Sequence, residues 1–323
     1  MLTAVSIVLL AAGMAAIIRG NRDEFLSIDT TVTARGALAL VIILHHLAVQ
    51  ANETNSMFYN EGGGGTTLFL FLSGYGVWFS IQKTKSVKGF LIKRIRNLLL
   101  PFGIVFICFE AIECFIVKSQ GLTTVAKDLF ELRLPHYTNW FVKAILAMYI
   151  LSVLAYLISR KVLHSYEMVV LLGCIAWIVI CRAILHLSSF WYNSILGFAL
   201  GSVVARYKNE IEKLFHMYFW QILILLCIGS TVLIWRIGSL SGVVGNLFFC
   251  LDALLILGTY GAKSKVLYWL GTMSYELYLW HLLFKYYLFM SWIPMDVAVL
   301  VVIVASVAAS FVTHRVLHRG RSK

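Results

Sequence analysis

"TARGALALVIILHHLAVQ", residues 33–50, is apolar through its middle yet carries Arg35 near one end and His45 and His46 near the other. An apolar run of this length reads as a membrane-spanning helix. Ionisable side chains inside such a segment are costly, and where they persist they line cavities or do chemistry. Arg35 and His46 are eleven positions apart. At 3.6 residues per turn they fall within about 20° of one helical face and roughly 16 Å apart along the axis, whereas His45 points some 100° away from His46. A lone interfacial arginine snorkels, and a lone membrane histidine commonly bonds a neighbouring helix. The shared face adds a second reading, in which one wall carries a cation at one depth and an imidazole at another.

The rest of the chain has the same character. Of its 323 residues 60% are hydrophobic and 13% charged, with a mean hydropathy of +0.86. A soluble domain cannot cover its surface with that composition. Apolar runs recur near 2–18, 33–50, 66–82, 98–117, 139–158, 167–185, 190–205, 217–235, 242–260, 266–290 and 293–314. The expectation is an all-α polytopic membrane protein of about eleven transmembrane helices. It forms one membrane domain over 1–323, with an extra N-terminal helix and loop (1–30), a core (31–290) and a last helix with a basic tail (291–323). The opening run is followed, not preceded, by Arg19 and Arg22, the wrong polarity for a cleaved signal.

Loop charges give an orientation. On alternate loops one side collects 19 Lys and Arg and the other 4: Lys118, Lys127, Arg133 and Arg236. By the positive-inside rule the N-terminus lies outside and the C-terminus in the cytoplasm. The net charge of +12 is therefore mostly topology, and a nucleic-acid role drops away. The six cysteines all lie in apolar runs without zinc-like or disulfide-like spacing, and no metal is expected.

Three further stretches hold polar groups within apolar sequence. In "KGFLIKRIRNLLLPF" (88–102) a basic amphipathic stretch leads into a spanning helix at Pro101. Arg94 and Arg96 suit phosphates, since guanidinium groups bind them bidentately, and equally suit a membrane-surface anchor. In "GGGGTTLFLFLSGYGVWFS" (62–80) the glycines read as close helix packing, with Ser73 and Tyr75 placing polar groups in the bundle. In "LGTMSYELYLWHLLF" (270–284) Ser274, Tyr278 and His281 fall within about 60° of one face. Glu110, Glu113, Asp252 and Glu276 are the acids inside apolar runs, suited to orienting an imidazole or to pairing with another helix.

Arg35 and His46 with ten residues between them, then "FLFLSGYG", "KRIRNLLLPF", "NWFVKAILAMY" around Trp140, "WYNSILGFALG" and "LGTMSYELYLWH" resemble, in order and spacing, the acyltransferase 3 family of integral-membrane acyltransferases. The resemblance covers about 30–285. It implies transfer of an acyl group, usually acetyl from acetyl-CoA, to a hydroxyl of a cell-surface glycan or its lipid-linked precursor, in a bacterial-type cytoplasmic membrane. His46 would be the catalytic base and Arg35 its essential partner. Arg94 and Arg96 would face the coenzyme A phosphates, and Ser73, Tyr75, Trp140, Tyr278 and His281 would line the substrate path. Acetyl-CoA enters as the acyl donor, membrane lipid surrounds the chain, and a separate extracytoplasmic protein would complete the transfer if this chain does not. Asn97 departs from the pattern, standing where relatives often carry another basic residue. The alternative reading is a glycan or lipid transporter or flippase, which predicts paired broken helices and an internal repeat; neither is visible in the sequence.

Overall fold

The computed structural model describes residues 13–17, 25–84, 86–117, 121–160, 165–236, 241–288 and 294–318. Twelve α-helices are named here: α1 (Ile28–Gln50), α2 (Gly62–Gln82), α3 (Val87–Ala111), α4 (Leu122–Phe130), α5 (Trp140–Ser159), α6 (Tyr166–Val179), α7 (Leu196–Arg206), α8 (Lys208–Arg236), α9 (Ser241–Tyr260), α10 (Lys265–Thr272), α11 (Ser274–Leu288) and α12 (Met295–His318). Short π-helical turns continue α3 and α6. Among the described residues there is no β-strand, only an isolated bridge between Leu134 and Tyr137. The expected all-α membrane fold is the fold observed.

The helices gather into two compact units, residues 1–87 with 148–272 and residues 88–147 with 273–323. In unit one, α1 starts five residues before the apolar run at 33, because Ser27 caps it by accepting the Thr30 amide at 3.2 Å. Two helix pairs then approach so closely that only glycine fits. A methyl on Gly36 of α1 would run into the Leu267 carbonyl of α10, and one on Gly271 of α10 into the Val32 carbonyl of α1. Between α2 and α7, Gly74 meets the Phe198 carbonyl, Gly197 that of Thr67 and Gly201 that of Phe71. Lipid supplies no hydrophobic driving force between helices, so backbone contact and dispersion hold such pairs. Buried Phe71, Leu72, Tyr75, Leu38, Val204 and Leu254 fill the core around them.

A buried carboxylate ties the same unit together. Glu167 of α6 is 4% exposed. It accepts the Trp78 indole N–H at 2.6 Å and the Ser165 hydroxyl at 3.1 Å, with the Arg206 guanidinium at 3.8 Å. In unit two, α11 and α12 pack together, and the Trp280 indole donates to the Thr313 hydroxyl at 2.9 Å.

Eight described helices are long and apolar enough to cross a membrane. Their outward side chains are large and apolar, as on α8, where Trp220 is 67% and Leu225 69% exposed. That surface suits acyl chains, not water.

Three stretches differ from the expectation. The run at 190–205 forms a 3₁₀ turn and then the 11-residue α7, too short to cross about 30 Å alone. The irregular backbone before α7 is tolerable at membrane depth because protein covers it: Ser194 and Ile195 are each 1% exposed, and the Ser194 hydroxyl donates to the Gly63 carbonyl. The run at 266–290 is two helices, α10 and α11, broken at Met273 where the chain passes from one unit to the other. The basic stretch before Pro101 is not a separate surface segment but the first turns of α3 itself. The expected run at 2–18 lies outside the described residues apart from 13–17, which are helical.

Candidate active site

Helix α1 is unbroken from Ile28 to Gln50, so Arg35 and His46 ride one rigid element with about 16 Å of axis between them. Both are partly exposed, within reach of a ligand. The Arg35 guanidinium crosses to α2 and donates to the Leu72 carbonyl at 3.4 Å, lying beside Gly76. Gly76 has no side chain to fill that space. Ser73 directly follows Leu72, so the Arg35 contact and Ser73 share one turn of α2. Tyr75 follows on the same helix, its ring packed in the apolar core between Phe71 and Phe79, 6.2 Å and 5.1 Å away.

The two histidines are fixed differently. His45 Nδ1 is 3.0 Å from the Phe58 carbonyl, and since a carbonyl only accepts, that nitrogen carries the proton. The His45 ring also fills the space over Gly62, where a methyl would strike it. His46 lies next to it, ring centroids 5.1 Å apart and tilted 55°.

The other expected site residues belong to unit two. Arg94 lies over the Phe90 ring at 5.4 Å and Arg96 is exposed. Trp140 opens α5 and meets Phe141 edge to face. Tyr278 stands between Phe141 and His281, 5.2 Å and 5.8 Å away by ring centroid. His281 is fully buried, with Nδ1 3.2 Å from the Leu277 carbonyl of its own helix. The expected Tyr278–His281 neighbourhood therefore exists, as a packed group.

Unit two also assembles a cluster that sequence reading did not find. Glu113, 1% exposed, accepts the Tyr287 hydroxyl at 2.5 Å and His136 Nε2–H at 2.9 Å. His136 in turn stacks flat on Tyr286, centroids 3.9 Å apart and planes at 10°. Lys285 sits over the Tyr137 ring at 5.1 Å. Burial, with Tyr286 beside it, pushes the Tyr137 phenol above its ordinary range, so it stays a neutral hydroxyl. One turn before Glu113, both carboxylate oxygens of buried Glu110 lack a hydrogen-bond partner among the described residues. The loop carrying His136 is strained: Leu132, His136 and Asn139 all hold positive φ. Such residues cost about 1–3 kcal/mol each and gather where a side chain has to be aimed. Glu113 and His136 are 23 positions apart in a span and a loop, and no linear spacing links them; the one sequence signal was an acid inside an apolar run.

Carboxylate-oriented imidazoles, partly exposed arginines and stacked aromatic faces are the means of proton transfer, anion binding and sugar binding. A family model described as an acyltransferase domain matches residues 27–315. No curated protein and no solved structure gives a match. The chain belongs to the acyltransferase 3 family and is a multi-pass membrane acyltransferase.

Proposed function

We propose that this acyltransferase moves an acyl group, acetyl in the simplest case, from cytoplasmic acyl-CoA to a hydroxyl of a cell-surface polysaccharide or its lipid-linked precursor. The observation that carries the proposal is the single unbroken helix α1, which holds Arg35 and His46 on one face at two depths. With the orientation read from the loop charges, Arg35 stands toward the cytoplasmic donor and His46 toward the outer acceptor. The membrane concerned is then a bacterial-type cytoplasmic membrane.

His46 takes the proton of the acceptor hydroxyl as its oxygen attacks the thioester carbonyl carbon. The new C–O bond forms, the C–S bond breaks, and the imidazolium returns the proton to the departing thiolate, leaving free CoA thiol and an O-acyl ester. Arg35, anchored on the Leu72 carbonyl, donates to the amide oxygens of the donor's pantetheine arm. Arg94 and Arg96 bind its phosphates, and Ser73, in the turn of α2 that Arg35 touches, lines the donor's path. Within unit two, the exposed Tyr286–His136 stack offers a flat face to sugar C–H bonds and is the candidate contact for the acceptor.

Purified protein in detergent, given radiolabelled acetyl-CoA and candidate glycans, tests this. We expect labelled ester from the wild type and a loss of about 10²–10⁴-fold in His46→Ala, with unchanged gel-filtration behaviour. Wild-type labelling by that variant removes His46 as the base. The break at Met273 favours one second reading, transport, because transporters bind substrate at interrupted helices. Glycan movement across vesicles with no labelled product would support it instead.

A further inference from the structure

Glu276, one of the acids inside apolar runs, and the two histidines His314 and His318 take no part in the site described above. His314 and His318 are one turn apart in the last turns of α12, and Glu276 is in the first turn of α11. The three residues offer one ligand atom each, all within 4.8 Å of one another. Glu276 Oε1 is 3.1 Å from His314 Nδ1, and the two imidazole centroids are 4.4 Å apart at 60°. Glu276 is 5% exposed, whereas both histidines are partly open.

We propose that Glu276, His314 and His318 bind one divalent transition-metal cation of the zinc class. Two histidines at i and i+4 present their rings on one helical face, the spacing by which a single helix chelates such an ion. Two imidazoles and one carboxylate match the borderline-soft ions; magnesium and calcium take oxygen ligands instead. Around a tetrahedral zinc at about 2.0–2.1 Å, ligand atoms stand roughly 3.3 Å apart. The Glu276–His314 pair is already at that separation, and the half-open His318 ring has room to close the remainder by side-chain rotation. A buried carboxylate needs a compensating cation. The neighbouring Arg315 is drawn over the Phe311 ring, 4.6 Å from its centroid. Two imidazoles in contact repel if both are protonated, while one metal ion serves both and neutralises the carboxylate.

The ligands are also held in advance. The Trp280–Thr313 hydrogen bond, joining the same two helices, fixes the residue immediately before His314. That rigidity is what a metal site needs from its supporting shell. With three protein ligands a fourth position stays open to water. The ion would staple α11 to α12 within unit two, independently of how acyl transfer proceeds. The absence of metal expected from sequence rested on cysteine spacing; this triad joins residues 38 and 42 positions apart.

The test uses the full chain without a polyhistidine tag, purified in detergent, stripped with chelator and titrated with Co²⁺. We expect saturable uptake of one equivalent, a visible ligand-field absorption of low-symmetry four- or five-coordinate cobalt, displacement by Zn²⁺ and a higher melting temperature with metal. His318→Ala, at a partly exposed ring, should fold normally and bind about 100-fold more weakly, and Glu276→Gln should weaken binding too. His216→Ala, outside the triad on α8, should bind as the wild type does. No saturable uptake by the wild type, or unchanged uptake by both His318→Ala and the His314→Ala/His318→Ala double variant, overturns the proposal.

Discussion

At His45 the Nδ1–H is committed to the Phe58 carbonyl and the ring is wedged over Gly62, which makes it a fastening between α1 and the chain entering α2. His46, one residue on, is the imidazole that shares the Arg35 face. Ser73 lies in the turn of α2 that Arg35 touches, and the Tyr75 ring packs in the core beside it. His136 is the clearest case of a residue whose neighbours define its chemistry. Glu113 holds its Nε2–H, Tyr286 holds its plane, and positive φ shows that the loop is bent to bring it there. If this cluster receives the acceptor, His136→Ala should raise the acceptor KM about tenfold, the equivalent of roughly 1.4 kcal/mol of lost binding, while the acyl-CoA KM stays put. Steady-state kinetics with each substrate varied separately reads this; equal changes in both constants would mean the loop is merely structural.

Among the elements, the pairs α1–α10 and α2–α7 depend on backbone-to-backbone approach. Gly36 and Gly271 interlock reciprocally, so Gly36→Val has no rotamer that avoids the Leu267 carbonyl. Overpacking costs about 1–3 kcal/mol even against movable side chains, and here the obstacle is backbone. We expect a fall in melting temperature in detergent, or no folded protein. Gly103 in α3 is the internal control, because a methyl there meets nothing within 4 Å. Gly103→Ala should leave the melting temperature level or raise it slightly, given alanine's helix preference of about 1 kcal/mol over glycine. If both variants melt alike, close packing is not what holds these helices. The glycines of 62–80 were legible from sequence as packing residues. That Gly74 meets the Phe198 carbonyl, and that Gly197 and Gly201 of a seventh run too short to span meet the carbonyls of 67 and 71 in return, was not.

On the scale of the whole molecule, eight long apolar helices with large outward side chains make a multi-pass membrane protein, and the loop charges predict its orientation. That orientation is open to direct measurement. In a chain with its six cysteines replaced, Thr54→Cys should react with an impermeant maleimide in intact cells, and Ser86→Cys only once the membrane is opened. The reverse pattern would turn the donor and acceptor sides of the proposed reaction around.

Composition and apolar run length were enough to read an all-α membrane protein from sequence, because hydrocarbon forces every spanning backbone to satisfy its own hydrogen bonds and so ties periodicity to structure; the acyltransferase reading came from the resemblance of its ordered motifs to a family. Where a run would break, as at Met273 and before α7, depended on which irregular backbone found protein cover, and that is a property of packing. The Glu113–His136–Tyr287 and Glu276–His314–His318 clusters were likewise decided in three dimensions. Their members come from different elements, and a hydrogen bond or ligand set is a matter of distance in space, for which separation along the chain gives no rule.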